Sequence, residues 1–428
     1  MELKPRAYKK IIHLVNKGVD IPNPLSLDIG EEVDPDRVSG EKVKIYPGCR
    51  IYGAQTAIAP GARIGQEGLV TIENCQIGPR VELKGGYFKE AVFLEGANMG
   101  LGAHVREGSI LEEEAGGAHC VGLKQTILFP FVTLGSLINF CDCLMAGGTS
   151  RQDHSEVGSS YIHFNFTPSG DKTTASLIGD VPRGVMLNQP PIFLGGQGGM
   201  VGPLRLGYGN VVAAGTILRQ DFTEEKKLIV GKTHAGTVVS FNPHAYTGLP
   251  RIVENNSLYL ANLMALYEWY VFVRRPFLVA QEFGELIYNG LLTQLTAAKK
   301  ERIKRLKAMA ERISASLETA GSKPHGTPGR QEFHERIEEA CEMLSGTVPA
   351  EAAAGHRDRF LALFSAHRKG VDGKYVDVIR SLPADVSKEG TLWLDQIVLG
   401  ACRRTAGMFP SLGLFKNLGS VDLFHIRR

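Results

Sequence analysis

The sequence lacks any apolar run that approaches the length of a membrane-spanning helix, so we expect no membrane association. Its basic N-terminus, with Lys4, Arg6, Lys9 and Lys10, is not followed by the apolar stretch of a secretory signal peptide. Seven cysteines in 428 residues indicate free thiols in a reducing compartment, so the sequence predicts a cytoplasmic protein. A net charge of +3 does not indicate a surface for nucleic acid.

Glycine is abundant instead, at 50 residues, and it crowds into the first 250 positions. An aliphatic residue recurs there about every six positions in two segments: Ile45, Ile51, Ile58, Ile64, Val70 and Ile77, then Met200, Leu206, Val212 and Leu218. This period belongs neither to an α-helix nor to an ordinary two-faced strand. It is typical of a hexapeptide repeat, in which aliphatic side chains stack inside a coil and small residues form its corners. The fold class predicted for this part is an all-β left-handed parallel β-helix.

Three regions are expected along the chain. Residues 1–39 form an N-terminal helix, at 5–17, and a linker. Residues 40–250 form the left-handed β-helix, with two loop insertions near 146–175 and 181–199. Residues 251–428 form an α-helical domain, because the apolar period becomes helical after a plausible cap at Asn255, Asn256 or Ser257. This domain is long enough to bury its own core, and its charged run from Lys299 to Arg312 is interpreted as a solvated helix face.

Four segments carry more than the generic period: GARIGQEGLVTIENCQIGPRVEL, HVREGSILEEEAGGAHCVGLKQT, VGSSYIHFNFTPSGDKTTASLIGD and VGPLRLGYGNVVAAGTILRQDF. Together they resemble the acetyltransferase half of the bifunctional UDP-N-acetylglucosamine pyrophosphorylase/glucosamine-1-phosphate N-acetyltransferase, over residues 40–235. That family acetylates glucosamine 1-phosphate and then uridylylates it. About 40 residues before the coils cannot hold its nucleotide domain, so we do not expect this chain to make UDP-sugars by itself.

The resemblance implies a set of substrate-binding residues. Arg106 and Lys124 match the family's Arg and Lys that hold the substrate phosphate, a role suited to guanidinium and ammonium groups. Asn165 and Lys172 fall on matching polar positions of a loop, and Asn139 replaces a substrate-binding Tyr. The alternative for Arg106 and Lys124 is a salt bridge along the coil wall.

The resemblance also implies acetyl-CoA, or another acyl-CoA, as co-substrate. Ala213 and Ala214 fall where the family's backbone meets the thioester arm. Lys232 lies near the family's Arg that meets the CoA phosphates. No metal is predicted, because Cys141 and Cys143 have no second ligand pair or nearby His at ligand spacing.

The family's general base is the largest departure, because its His corresponds to Ser136 here. A serine cannot accept the proton of an attacking amine as an imidazole can. We consider His163 first and His154 second as substitutes, with His119 a further candidate. The alternative is that each is a coil or loop histidine with a hydrogen-bond partner.

Two functions of different classes follow. The first is an acyl-CoA-dependent transferase acting on an amino-sugar phosphate or nucleotide sugar, with the site between subunits of a homotrimer. The second is a non-catalytic sugar-nucleotide-binding or scaffold protein derived from the same family. A weaker possibility is that the helical domain recruits a separate nucleotidyltransferase.

Overall fold

The structure is a computed structural model that describes residues 4–231, 236, 238, 246, 248–319, 327–346, 353–371 and 373–416. Its β part is a left-handed parallel β-helix in which each coil contributes one short strand to each of three walls.

We name the walls by their strands, all paired in parallel. Wall A contains Lys44–Ile45, Arg63–Ile64, Glu82–Leu83, Asn98–Met99, Gly116–Gly117, Thr133–Leu134, Glu156–Val157, Phe193–Leu194, Val211–Val212 and Leu228–Ile229. Wall B contains Asp28–Ile29, Arg50–Tyr52, Val70–Glu73, Gly86–Lys89, Ala103–Val105, Ile162–Phe164, Gly199–Val201 and Ile217–Leu218. Wall C contains Ala57–Ile58, Gln76–Ile77, Ala91–Phe93, Ser109–Leu111, Ser176–Ile178 and Arg205–Leu206. Two longer strands, Gly122–Leu128 and Asn139–Met145, pass from wall B into wall C.

The six-residue period marks the interior of the coil, which confirms the predicted fold class. All ten aliphatic positions named above are at most 1% exposed. Corners need glycine where coils approach closely: at Gly65 φ is +93°, and an added Cβ would lie 2.4 Å from the Cys49 Sγ.

The coil begins earlier than the sequence indicated. An N-terminal helix, α1 (Tyr8–Lys17), is present as expected. The segment predicted as a linker, however, supplies a first coil: Asp28–Ile29 pairs with wall B, Asp20 bridges to wall A and Val38 to wall C. These residues lack the regular hexad, so the period alone did not reveal the extra coil.

The first predicted insertion consists of two separate loops. A hairpin of Gly148–Ser150 and Asp153–His154 leaves wall C, and a loop at 165–175 connects wall B to wall C. Between them the chain completes one strand of wall A and one of wall B. The second insertion, near 179–192, contains the short helix α2 (Val181–Gly184).

The helical part comprises α3 (Leu249–Trp269), a π-helical turn at Tyr270–Arg274, α4 (Arg275–Leu278), α5 (Gly284–Thr319), α6 (Thr327–Ser345), α7 (Ala354–Lys369), α8 (Tyr375–Arg380) and α9 (Ala384–Met408). None of the helices within the described ranges is both long and apolar enough to cross a membrane.

These helices pack along wall C instead of forming a separate core. Helix α5 contacts the wall C strands at 76–77, 91–93 and 109–111, and α3 contacts the strand at 176–178. Every residue of the wall C strands is buried, and the buried apolar residues of coil and helices form one continuous cluster. The outward side chains of walls A and B mostly remain exposed or half-buried, so these two walls are open to a ligand.

Candidate functional site

Arg106 and Lys124 come together on wall B. The strands that precede them pair Val105 with Leu123, so the two cations extend from neighbouring coils. Both contact one carboxylate: Glu107 lies 3.3 Å from the Arg106 Nε and 2.8 Å from the Lys124 Nζ. Burial is the largest single effect and opposes ionisation of Glu107. The hydrogen bond from Lys124, a backbone hydrogen bond and the charges of Lys124 and Arg106 together outweigh it, so the pKa of Glu107 is lowered. Two half-exposed cations thus share one anion.

An open floor lies beside these cations. His104, Gly122 and Asn139 occupy the same position of three successive coils, and all three face outward. A Cβ added to Gly122 would meet nothing closer than the Asn139 Oδ1 at 3.7 Å. The exposed His104 ring contacts Tyr87 edge to face at 5.2 Å. His104 was missed in the sequence, although its spacing of two from Arg106 on a strand puts both on one face.

The corner between walls B and C completes this cluster. The Asp142 carboxylate accepts hydrogen bonds from the Asn165 Nδ2 at 3.4 Å and from the Thr174 hydroxyl at 3.3 Å. Its other oxygen lies 2.6 Å from the Arg302 Nη2 of helix α5, and Arg302 Nη1 donates to the Lys172 carbonyl at 2.9 Å. Arg302, only 1% exposed, was not foreseen as part of this region.

The electrostatics of Cys141 show how closely the predicted residues gather. Burial, followed by the charge of Asp142, raises the pKa of the Cys141 thiol to about 11, while Lys124, Lys172 and Arg106 each act to lower it. The structure therefore brings the predicted phosphate-binding and loop residues together where the middle strands of wall B end, at the corner with wall C.

His163 and His154 lie elsewhere. His163 points into the coil, where Nε2 lies 2.8 Å from the Ser176 hydroxyl and Nδ1 bonds the Cys141 carbonyl. Burial lowers the pKa of His163 to about 4. His154 is half-buried on the hairpin between walls C and A. The position of His163 favours a structural role. Neither the His163 ring nor the His154 ring lies on the outer surface of wall B in its own chain.

A different imidazole lies at the corner between walls A and B. The His119 Nδ1 lies 2.8 Å from the Ser136 hydroxyl oxygen, and the His119 ring is exposed. Ala213 and Ala214 occupy the same corner three coils further on, and Ala214 is exposed. At about 4.8 Å per coil, this separates them from Ser136 by roughly 14 Å along the coil axis. Lys232 falls outside the described residues.

The described residues hold no group of three or more His, Cys, Asp or Glu side chains arranged to bind a metal ion.

The sequence of this chain is similar to those of several known proteins. The chain is 28% identical over 190 residues to the bifunctional protein GlmU of Trichlorobacter lovleyi, a match covering 44% of this chain and 37% of that protein. It is 24% identical over 213 residues to GlmU of Thermotoga maritima, covering 50% and 42%. It is 29% identical over 212 residues to GlmU of Pelobacter propionicus, covering 49% and 40%. The matched part of this chain is therefore similar to part of the GlmU proteins.

The GlmU similarity has a limited extent, because the chain spans less than half the length of these curated relatives. No family model matches the chain. Among solved structures, a UDP-N-acetylglucosamine acyltransferase from Campylobacter jejuni shares 13% identity, covering 48% of this chain and 66% of that one, with a TM-score of 0.16. The polysialic acid O-acetyltransferase OatWY shares 12% identity, covering 55% and 96%, also with a TM-score of 0.16.

Proposed function

We propose that the chain is an acyl-CoA-dependent acyltransferase whose acceptor is an amino-sugar phosphate or a nucleotide sugar. One observation carries this proposal: Arg106 and Lys124 lie next to each other beside the open floor at Gly122. This part of wall B is not covered by the helices. An anionic acceptor needs cations, and its sugar ring needs an unobstructed surface next to them. Similarity to the GlmU proteins supports the same reaction class.

In this proposal the acceptor lies on wall B, along the edge that adjoins wall C. Arg106 and Lys124 bind its phosphate, displacing their shared contact with Glu107. The Asn139 amide contacts the sugar hydroxyls from the next coil. Asn165 and Lys172, on the loop at the corner, orient the acceptor or the thioester.

Acetyl-CoA, or another acyl-CoA, would bind along the corner between walls A and B. At Ala213 and Ala214 only methyl groups separate solvent from the backbone, so a thin pantetheine arm can approach the peptide groups closely. This corner leads back toward the start of the wall B strands that carry Gly122 and Asn139. Lys232 remains the proposed contact for the CoA phosphates.

We further propose a homotrimer. The last coils expose an apolar row on wall A, formed by Phe193, Val211 and Leu228, and wall B adds Ile162 and Ile217. Because the helices cover wall C, direct contact between the coils of different copies would use walls A and B. Three-fold packing there would bury these residues and would bring a neighbour's surface against the wall B site.

An acetylation assay tests the catalytic proposal. Purified chain is mixed with acetyl-CoA and a panel of amino-sugar phosphates and nucleotide amino sugars, and free thiol release is followed. We expect turnover with at least one acceptor, a loss of at least about tenfold in kcat/KM for Arg106→Ala, and no change for Arg63→Ala on wall A. Absence of turnover with every acceptor and with longer acyl-CoAs would reject the enzyme assignment.

The second candidate, a non-catalytic sugar-nucleotide-binding protein, is favoured by one observation. Ser136 and Asn139 stand where the resembling family carries its base and a binding Tyr. Thermal unfolding distinguishes the two: stabilisation by UDP-N-acetylglucosamine without any by acetyl-CoA supports the binding protein, and stabilisation by both supports the transferase.

A further inference from the structure

The pair formed by His119 and Ser136 connects two successive coils at one corner. The Leu137 amide donates to the His119 carbonyl at 3.0 Å, which holds the two coils in register. The side chains then meet, with 2.8 Å between the His119 Nδ1 and the Ser136 Oγ. Ser136 is itself fixed, because its amide donates to the Ser159 hydroxyl oxygen at 3.1 Å.

This contact orients the imidazole. When Nδ1 carries the proton and donates it to the serine oxygen, Nε2 keeps a lone pair on the opposite side of the ring. The His119 side chain is exposed, and among the described residues no hydrogen bond to its Nε2 is present. A ring held through one nitrogen, with the other free toward solvent, is the arrangement that a proton acceptor requires.

The corner also adjoins both proposed binding regions. His119 precedes Gly122 and Lys124 on the same coil by a few residues, so the acceptor floor begins roughly 10 Å along the chain. Ala213 and Ala214, proposed for the thioester arm, lie at the same corner four coils later, roughly 19 Å along the coil axis. His119 lies one coil before Ser136 at the same corner. Its point of attachment is therefore displaced by only about 4.8 Å from that of a histidine at position 136.

We propose that His119 is the catalytic residue that accepts the proton of the attacking amine, with Ser136 positioning its ring. The neutral amine of the acceptor attacks the thioester carbonyl carbon, a C–N bond forms, and His119 Nε2 takes the proton from nitrogen. The C–S bond then breaks, the electron pair leaves with sulfur, and the imidazolium returns the proton to the thiolate. The products are the amide and free CoA thiol. This inference rests on the proposed transferase function.

Substitution of His119 separates catalysis from binding. His119→Ala and His119→Gln should lower kcat by about 10²- to 10⁴-fold while KM and the calorimetric affinity for the sugar phosphate stay within about twofold. The exposed His13, which pairs with Asp36 at 2.8 Å near the N-terminal helix, provides a matched control, and His13→Ala should match the wild type.

A transposed variant provides a positive test. His119→Ser combined with Ser136→His keeps a serine–imidazole pair but attaches the imidazole to the next coil. It should recover at least about tenfold of the activity lost in His119→Ala, because the ring returns to the same corner.

The outcomes distinguish the two proposals. If the wild type turns over and His119→Ala keeps its full kcat, or if His104→Ala is the histidine variant that abolishes kcat, the role of His119 is overturned while the transferase function stands. If the wild type itself shows no turnover although it binds sugar phosphate and acyl-CoA, the transferase function is wrong, and the role of His119 is lost with it.

Discussion

Arg302 and Asp142 form an ion pair that joins the helical part to the candidate site, with 2.6 Å between the Arg302 Nη2 and the Asp142 Oδ1. Both side chains are at most 5% exposed. Since the same guanidinium also binds the Lys172 carbonyl, and Asp142 also binds Asn165, helix α5 fixes the loop that carries both predicted polar residues.

Removal of this arginine should therefore affect folding and the site together. Arg302→Met leaves Asp142 buried without its cation, which should cost about 3–5 kcal/mol in the free energy of unfolding. Urea denaturation measures this loss. Arg305→Met, which removes an i,i+4 pair with Glu301 on the same helix, should cost no more than about 0.5 kcal/mol. Equal losses in the two variants would contradict a special role for Arg302.

The carboxylate shared by Arg106 and Lys124 should compete with a bound phosphate. Glu107→Gln removes the competing charge, so the affinity for a sugar phosphate should rise, by up to about fivefold, or ~1 kcal/mol. Lys124→Ala should lower that affinity. Titration calorimetry at low and high salt checks both, and the gain should shrink as salt screens the cations. Weaker binding by Glu107→Gln would show that the phosphate binds elsewhere.

The floor at Gly122 allows a steric test. Its outward position has room for a side chain, so Gly122→Leu should fold with an unfolding midpoint close to that of the wild type. The leucine should nevertheless cover the space between His104 and Asn139 and weaken acceptor binding by at least tenfold, equivalent to about 1.4 kcal/mol. Gly122→Ala is the matched control, with little effect expected. Unchanged binding by the leucine variant would exclude this floor as the acceptor site.

The coil could be predicted because every aliphatic hexad position points into it, whatever surrounds the coil. The packing of the helices against wall C could not be predicted. Its strands carry short apolar runs, such as Ala57–Ile58 and Ala91–Phe93, that are buried on both faces. Such runs indicate that something packs outside but do not identify the partner. The runs were a usable signal that the period analysis passed over.

The start of the first long helix shows how tertiary contacts override local signals. Asn255 and Asn256 resemble helix caps, yet α3 begins at Leu249 and both lie inside it. Their amides bind the coil: Asn255 Nδ2 lies 3.1 Å from an Asp221 oxygen, and Asn256 Nδ2 donates to the Thr173 carbonyl at 3.1 Å. The cap expected at these positions is therefore wrong.

The candidate site likewise contains residues that could be predicted from the sequence and residues that could not. Arg106 and Lys124 were identified through the resemblance alone, and their separation of one coil places them on neighbouring strands. Arg302 was not, because it lies 160 residues from Asp142 in a charged run interpreted as a solvated face. Only the packing of α5 against the coil reveals that this one member of the run points inward.

The apolar row on wall A leads to a prediction about assembly. Val211 is the central member of the apolar row, between Phe193 and Leu228. Val211→Arg puts a charge there, so it should convert the proposed trimer to monomers. Sedimentation velocity measures the change. Asn98→Arg, at the same position of an earlier and more polar coil, should leave the trimer intact. A wild-type chain that sediments as a monomer would remove the basis for a site between subunits.

Glu112 gives the boundary between coil and helices a pH dependence. Burial raises the pKa of Glu112 to about 7, with Arg274 opposing and Glu113 adding to the effect, and the Tyr270 hydroxyl bonds the carboxyl group. Because the folded pKa is raised, the folded chain holds a proton that the unfolded chain releases above about pH 4.3. Stability from this group is therefore complete below that pH and is lost as pH rises through 7.

Glu112→Gln should remove this dependence, because the amide resembles the protonated acid and its oxygen can still accept from Tyr270. The difference in free energy of unfolding between variant and wild type should grow by about 1.4 kcal/mol per pH unit between the two pKa values and level off above about pH 7. Urea denaturation at pH 5, 6, 7 and 8 measures it. Glu113→Gln, which instead removes the 2.8 Å ion pair with Arg274, should destabilise the chain at every one of these pH values. A constant difference for Glu112→Gln would mean that this carboxyl group is already ionised in the folded chain at pH 5.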